Sequence, residues 1–393
     1  MTAGLNTLHA ETLRDAVVVA GPAGLEGPLD APSANMPLKR IGVRLADGSA
    51  APLGRCIYRN RHIGLPETAP PLKDLPRLRG TSIFAGVVGP HFGHMVTQSL
   101  GRLWLADLEP DARLVFLAAN LGFADLPGYF VDLLRSFGVV NPVELVTAPV
   151  ICDRLLLGPD LCNLEHRPCI SPAFHAWRAQ HKAALPEDGL IDLYVSRSGL
   201  SLDHGQFLQE TVLENALEAN GYTVFRPEQA SIAVQIDTYL RARRVIFADG
   251  SAAHLWSCFA RPDALASVLL RRPLDRHFAA WFRSADCPRP GYLDLGMADI
   301  ARRGEGGGRS VGVLDLQGVW RALRKGGFHD DPQDIGTPRA EIDAWLSGLV
   351  GHKGRLPAPP FPLDPRSEAL MALRTRIHLR EIDLPGKPGA TTT

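Results

Sequence analysis

The chain lacks most of the features that mark the specialised classes of protein. Its 393 residues hold only six cysteines, irregularly spaced, which argues against a disulfide framework and agrees with a reducing compartment. Lys plus Arg equals Asp plus Glu at 42 each, so there is no basic excess that would predict a nucleic-acid partner. No signal-peptide pattern opens the sequence, and the apolar run 16–21 is far too short to span a bilayer. These absences predict a soluble, cytoplasmic protein.

The common nucleotide-binding motifs are missing as well. The sequence holds no Gly-x-x-x-x-Gly-Lys-Ser/Thr and no Gly-x-Gly-x-x-Gly, and the second absence weakens the hypothesis of a Rossmann-type oxidoreductase. No Asp-x-Asp stands at a predicted strand end to hold a divalent ion and a diphosphate. One short cluster of Cys and His lacks Cys-x-x-Cys pairs, so a structural connector is favoured over a zinc site. Its members are Cys152, Cys162, His166 and Cys169. We therefore expect no metal site.

The sequence does show an alternation of strand and helix patterns. The chain is also long enough for two hydrophobic cores, since single cores stop growing near roughly 250 to 300 residues. Residues 1–80 hold short apolar runs broken by Pro and Gly, which predict short strands and turns. The alternation that follows, up to residue 185, predicts a parallel sheet covered by helices. Its predicted strands are 82–88, 113–117, 143–146 and 154–157, and its predicted helices are 91–105, 126–137 and 171–185.

A second alternation, over residues 191–270, predicts four strands and three helices. In alternating α/β units, ligands bind at the carboxyl ends of the strands. Arg197, Pro227 and Asp249 all follow predicted strands. We therefore expect one binding site, at the carboxyl ends of the strands, to contain an arginine, a helix amino terminus and the histidine at position 254. Beyond residue 272 the signals weaken, with a Gly-rich break at 304–308, a helix at 365–380 and a disordered tail from 385.

Several short motifs, in this order, resemble glycosyltransferase family 61. They are His94 with Leu100-Gly-Arg-Leu-Trp104, then Tyr194-Val-Ser-Arg197, Glu210, Gly221-Tyr222, Pro227-Glu228, Ser231, Gln235 and Gly250-Ser-Ala-x-His254. The resemblance covers roughly residues 80–272. Three places depart from the family pattern: Gly101 replaces a proline, Gln98 and Ser99 stand where an acidic residue is common, and Asp249 occupies a position that is histidine in plant and animal branches.

The resemblance implies a GT-B architecture, in which two Rossmann-like lobes face a cleft. The acceptor lobe would be residues 1–188 with a strand-rich start, the donor lobe 189–284, and residues 285–393 an extension of helices and disordered tail. The implied reaction is inverting transfer of a sugar from a nucleotide-sugar donor, expected to be uridine-linked, to a hydroxyl of a glycan or lipid-linked acceptor. The implied setting is bacterial capsular polysaccharide biosynthesis at the cytoplasmic side of the membrane, with peripheral membrane association left open. No cofactor besides the donor is expected.

Five residues are candidates for donor binding. Arginine presents a planar fork of donors to a diphosphate, and amides at a helix amino terminus add fixed partial positive charge. Arg197 with the turn at Gly250 and Ser251 offers both, and His254 would lie one helical turn further on, near enough to bond a phosphate or sugar hydroxyl. Glu210 could accept hydrogen bonds from a ribose. Each has an ordinary alternative: a surface ion pair for Arg197, a packing role for His254, and a carboxylate that complements the helix dipole for Glu210.

The candidate base is His94, with Asp249 as its competitor. At helical spacing, His91, His94 and Gln98 fall on the face opposite the apolar stripe, and a position near a helix amino terminus favours a neutral imidazole that can accept a proton. A pair of solvent-facing or backbone-bonded histidines is the alternative interpretation. A different class of function also stays open, namely a catalytically silent scaffold that binds a nucleotide or a glycan in an assembly complex.

Overall fold

The computed structural model describes residues 8–20, 41–58, 61–64, 72–120, 122–164, 167–168, 170–181, 185–200, 204–271, 291–293, 296–300 and 311–336. The Gly-rich segment 304–308, the helix predicted at 365–380 and the tail from 385 lie outside these residues, as do His166 and Cys169.

The strands and helices alternate over most of the described chain. In chain order the strands are β1 (Glu11–Val19), β2 (Gly42–Arg44), β3 (Cys56–Tyr58), β4 (Arg61–Ile63), β5 (Arg77–Val88), β6 (Arg113–Ala118), β7 (Val143–Val146), β8 (Val150–Leu157), β9 (Asn163–Leu164), β10 (Arg167–Pro168), β11 (Ile191–Val195), β12 (Tyr222–Phe225), β13 (Ala242–Ala248), β14 (Leu265–Leu269), β15 (Gly291–Leu293), β16 (Gly296–Ile300) and β17 (Val311–Leu314). The helices are α1 (Phe92–Gln98), α2 (Gly128–Ser136), α3 (Pro172–Gln180), α4 (Glu210–Ala219), α5 (Ile232–Arg241), α6 (Ala252–Phe259) and α7 (Leu316–Lys325).

The first sheet has the strand order β2-β1-β8-β5-β6-β7. Strands β8, β5, β6 and β7 are parallel, as the sequence predicts, but β1 runs antiparallel to both β8 and β2. The sheet is therefore mixed rather than purely parallel, because the strand-rich start of the chain pairs onto β8. Helix α1 follows the carboxyl end of β5, and this connection positions His94.

The second sheet is parallel, with the order β12-β11-β13-β14-β15. The four strands and three helices predicted over 191–270 are confirmed. The chain passes from β11 to β12 on one side and then to β13 on the other, and this reversal opens a crevice between the carboxyl ends of β11 and β13. Arg197 and Asp249 stand at these two ends.

One apolar core joins the two sheets. It contains buried residues of α1 and α2, which follow strands of the first sheet, and of α5 and α6, which follow strands of the second. Helix α1 packs on α6 and α2 on α5, and the rings of Phe137 and Phe259 lie 5.0 Å apart. The molecule is thus a mixed α/β structure in which helices fill the space between two sheets.

A separate core covers the outer face of the second sheet. Helices α4 and α7 bury apolar residues there, including Leu213 and the fully buried Trp320. Strand β15, which pairs with β14, and helix α7 both lie beyond the boundary predicted at residue 284. Part of the predicted extension therefore packs with the second sheet.

The helix predicted at 91–105 is wrong in extent. Helix α1 ends at Gln98, and a 3₁₀ turn, Leu103–Asp107, follows after a break. The break lies at Gly101, where a Cβ would overlap Asp160 Oδ1 and come within 2.6 Å of the Cys162 amide nitrogen. The helix does not continue there, because the segment of Asp160 and Cys162 packs against the Gly101 backbone, and the next residue, Arg102, is buried. None of the described helices is both long and apolar enough to cross a membrane.

Candidate functional site

Arg197 and Gly250 meet at the reversal point of the second sheet. Arg197 follows β11 and Gly250 follows β13, which are neighbouring parallel strands. A Cβ on Gly250 would overlap Arg197 Nη1 and lie 3.2 Å from its Cζ, so the guanidinium rests directly on the backbone of the turn. Only glycine leaves room for this approach. The structure thus brings together two of the predicted donor-site residues.

The remaining nitrogens of Arg197 are held by the chain itself. Its Nε donates to the Gly205 carbonyl at 2.8 Å, and Nη2 donates to the His204 carbonyl. The Arg197 amide donates to Glu210 Oε1 at 2.8 Å. Because two nitrogens point back to carbonyls, the orientation of the guanidinium is set before any ligand arrives, which lowers the entropic cost of binding.

Glu210 is placed beneath this loop rather than at its surface. It is 2% exposed, and Oε1 accepts hydrogen bonds from both the Arg197 amide and the Tyr194 hydroxyl, the latter at 2.9 Å. Burial raises the pKa of Glu210 above its ordinary value, although those two hydrogen bonds oppose the shift. The predicted contact with a ribose stays a prediction; what is visible is a carboxylate that holds Arg197 in place.

A second buried carboxylate supports the same loop. Glu214 lies one helical turn after Glu210 on α4 and accepts from Ser198 Oγ at 2.6 Å and from Ser196 Oγ. Arg226, which follows β12, donates to Glu214 Oε2 at 2.8 Å and to Ser198 Oγ at 3.1 Å. The loop that carries Arg197 is therefore fixed from two neighbouring strands.

The turn after β13 leads directly into α6. Asp249 is 3% exposed, and its amide donates to the Leu269 carbonyl at 3.0 Å, which ties the turn to β14. Ser251 precedes the first residue of α6 but makes no side-chain capping hydrogen bond. His254 lies one turn into the helix, as predicted, and is half-buried. The His254 amide donates to the Ser251 carbonyl at 3.1 Å, and amides before it at the start of a helix are in general suited to an anion.

His91 and His94 lie at the start of α1, after the carboxyl end of β5. His91 is exposed, His94 is half-buried, and their ring centroids are 6.0 Å apart. The third residue predicted for this face, Gln98, is instead 2% exposed. The helical spacing is correct, but the far end of α1 is enclosed by the packed core, so only the first turn can reach a ligand.

Gly93 connects the two halves of the site. A Cβ on Gly93 would lie 2.6 Å from Ser251 Oγ and 3.6 Å from His254 Cδ2. The amino-terminal turns of α1 and α6 are therefore in direct contact, and the predicted base and predicted donor-binding residues come from opposite sides of this contact. The candidate residues of the two sheets therefore lie around one contact between helices, where the carboxyl ends of both sheets converge.

Two residues of this site are missed by sequence reasoning. Gly93 stands between two conspicuous histidines, but nothing in its neighbours shows that a second helix approaches it. Tyr58, in strand β3, has its ring centroid 5.5 Å from that of His94, and it belongs to a segment that the sequence assigns only to short strands and turns. An aromatic residue at a strand end is the only available signal, and it is not specific.

Other motif residues are structural. Arg102 is 5% exposed and donates to the carbonyls of Gly158, Leu53 and Arg55 at 3.1, 3.1 and 2.9 Å. Gln235 donates to the carbonyls of Pro227 and Ala230 at 2.9 and 3.1 Å. These side chains replace missing backbone partners in loops, so they stabilise the fold without reaching the site.

The cysteines in the described part of the chain are buried and form no disulfides. Cys152 and Cys162 are buried, and burial raises the pKa of Cys152 to about 12, which leaves a neutral thiol. Within the described part of the chain, no three His, Cys, Asp or Glu side chains come together as metal ligands would.

The central part of the chain matches a known protein family. Residues 92–266 match the family model for Glycosyltransferase 61, a span that runs from the first residue of α1 into β14 and contains every predicted site residue. No curated protein matches the chain in sequence. Among solved structures, the chain is similar to the bacterial iron-containing dodecameric glycosyltransferase TibC from enterotoxigenic E. coli, with 10% identity over 67% of this chain and 74% of that one. The TM-score of this match is 0.28. The family match supports glycosyltransferase family 61 for residues 92–266, and with it glycosyl transfer as the class of reaction.

Proposed function

We propose that this chain is an inverting glycosyltransferase of the GT-B type, with two Rossmann-like lobes. It transfers a sugar from a nucleotide-sugar donor, which we take to be uridine-linked, to a hydroxyl of a glycan or lipid-linked acceptor. We place the reaction in bacterial polysaccharide assembly at the cytoplasmic face of the membrane, without a divalent ion. The observation that carries the proposal is the contact of α1 with α6 at Gly93. It places the first turn of α1, the histidine turn with His91 and His94, against the turn that opens α6, whose amides are suited to an anion.

The donor side of the proposal rests on charge and close approach. When the bond between sugar and phosphate breaks, negative charge grows on the diphosphate that leaves. The Arg197 guanidinium and the amides that open α6 would stabilise this charge, and Gly250 keeps the backbone accessible to phosphate oxygens. His254 and Ser251 would contact the same diphosphate or the transferred sugar.

The acceptor side needs a single proton acceptor. Inversion follows from direct displacement, in which the acceptor hydroxyl attacks the anomeric carbon from the side opposite the leaving group while a base removes the hydroxyl proton. We assign this role to His94, because it lies on the first sheet's side of the contact with α6. Asp249, which is buried at the donor turn, is the competing assignment.

The test of the proposed function is turnover of a panel of nucleotide sugars, each incubated with and without simple glycan acceptors. Release of free nucleotide that increases with an acceptor would support the transferase. Binding of a nucleotide sugar by calorimetry without any release would instead favour the silent scaffold, and binding of a nicotinamide cofactor would favour an oxidoreductase.

Arg197→Ala should weaken binding of a nucleoside diphosphate by about 1.5 to 3 kcal/mol, the usual range for a hydrogen bond to a charged group. The fold should persist, because the guanidinium hydrogen-bonds only loop carbonyls among the contacts named above. Calorimetric titration with UDP measures the change. An unchanged affinity would remove Arg197 from the site.

Two further variants sharpen this measurement. Gly250→Ala should reduce the same affinity, because its Cβ would occupy the space of Arg197 Nη1. Arg241→Ala is the matched control, since Arg241 lies at the end of α5 in an exposed ion pair with Asp237. Its loss should leave UDP affinity unaltered.

Turnover should persist in excess chelator. Arg197 and the amides of α6 supply the positive charge that Mg²⁺ supplies in metal-dependent transferases, and the sequence offers no Asp-x-Asp at a strand end. Nucleotide release is compared before and after addition of EDTA, and again after Mg²⁺ or Mn²⁺ is restored. Activity that disappears with EDTA and returns with the ion would contradict this part of the proposal.

A further inference from the structure

The hairpin of β3 and β4 places a tyrosine against the histidine turn. Among the strands of the described residues, these two pair only with each other, and β3 packs on β5 and on α1. Tyr58, the last residue of β3, is 4% exposed. A small element from the start of the chain therefore forms part of the wall behind the candidate base.

The ring of Tyr58 is confined at both ends. Its centroid lies 5.5 Å from that of His94, with the two planes tilted by 53°. At the other end, a Cβ on Gly89 would overlap the Tyr58 hydroxyl oxygen, lie 2.8 Å from Tyr58 Cζ and lie 3.0 Å from the Ala119 Cβ. The phenol thus fills the space beside Gly89, with its ring against the imidazole.

The backbone of the first turn of α1 is held by its contact with α6 at Gly93, by the Thr97 hydroxyl, which donates to the Gly93 carbonyl at 2.8 Å, and by the ring of Phe92 against Tyr129. The orientation of the His94 imidazole on that backbone depends in addition on the side chains that touch its ring, and Tyr58 is one of them. A base must be held within about 0.5 Å and 10 to 20° of its productive geometry. A rigid ring packed on the imidazole limits how far the imidazole can turn or shift.

We propose that Tyr58 is a positioning residue for His94, which it holds in the orientation that receives the acceptor proton. The inference rests on the proposed function of His94 as the base. It assigns to the β3–β4 hairpin a part in acceptor-side chemistry that neither the motifs nor the family match at 92–266 cover.

The test compares Tyr58→Phe, which keeps the ring, with Tyr58→Leu, which removes it. Tyr58→Leu should lower kcat by about 10- to 100-fold, the scale expected when a reacting group is displaced by about 1 Å, while KM for the donor and the affinity for UDP stay unchanged. Tyr58→Phe should retain most of the kcat. Ile57→Val, on the same strand but with its side chain on the opposite face, is the control.

A spectroscopic measurement separates this inference from the proposed function. With ¹³C-labelled histidine, the His94 imidazole, assigned by its disappearance in His94→Gln, should give one sharp signal in the wild type and in Tyr58→Phe. In Tyr58→Leu it should broaden or split, an effect that loss of the ring current alone does not produce. If no nucleotide sugar is turned over, the proposed function fails, but this signal still reports on the positioning.

One sharp His94 signal in Tyr58→Leu would overturn the inference, as would equal losses of kcat in the Phe and Leu variants. If Tyr58→Leu does not fold, Gly89→Ala replaces it, because the added Cβ displaces the phenol without removing any side chain. One sharp His94 signal in Gly89→Ala would then contradict the inference in the same way.

Discussion

His94→Ala should lower turnover by about 10² to 10⁴-fold, the range for loss of a general base. The affinity for UDP should stay near that of the wild type, because His94 lies on α1 while the diphosphate is assigned to Arg197 and the turn of α6. An interaction made only in the transition state lowers kcat and kcat/KM together. Steady-state kinetics with the active donor, alongside calorimetry with UDP, measure both quantities.

Asp249→Asn tests the competing base in the same assay, since it removes the charge and keeps the volume of the side chain. If Asp249→Asn abolishes turnover and His94→Ala does not, the base belongs to the second sheet and the histidine turn is structural. If neither matters, the scaffold becomes the better interpretation. His181→Ala is the matched control: its Nε2 lies 3.0 Å from Asp107 Oδ2 after α3, away from the α1–α6 contact.

Arg102→Met should lower the free energy of unfolding by about 3 to 5 kcal/mol, the range for removal of one partner from a buried ion pair. Arg102 is 5% exposed, and its guanidinium lies 3.4 Å from Asp160 and donates to three loop carbonyls. Methionine fills much of the same volume but leaves all of these acceptors without their donor. Urea denaturation followed by tryptophan fluorescence measures the loss.

The effect of this substitution should be confined to stability. Under conditions in which Arg102→Met remains folded, its UDP affinity should equal that of the wild type, because Arg102 does not reach the site. Arg113→Met is the control, since Arg113 is partly exposed and 3.9 Å from Glu144, a pair that contributes at most about 1 kcal/mol. A loss below about 1 kcal/mol in Arg102→Met would show that the buried network is not required.

The fold was largely predictable because strand and helix periodicity is a local property. The alternation over 191–270 and the strands at 113–117 and 143–146 follow from runs of apolar residues that must be buried. The prediction of a helix over 91–105 was wrong in extent for a nonlocal reason. Its residues favour a helix, but the approach of Asp160 and Cys162 to Gly101 breaks it, and no local pattern encodes a contact between segments so far apart in the chain.

The candidate site was predictable to a similar degree. Arg197, Asp249 and Gly250 could be placed at strand ends because ligands in parallel α/β sheets bind there. The grouping of these residues with His94 was predicted from the resemblance of the motifs to the family. The position of Glu210 beneath Arg197, and the enclosure of Gln98, depend on how α4 and α1 pack, and this is decided by side chains of other elements.

The sequence by itself determined the α/β class, the strand ends that carry Arg197 and Gly250, and the helix turn that carries His94, because each depends on neighbours within a few residues. Only the tertiary structure decided that Gly93 meets Ser251, that the Arg197 guanidinium rests on Gly250, and that Tyr58 packs on His94. Such contacts form when sheets and helices bury their apolar faces together, and burial selects partners by shape and not by position in the chain.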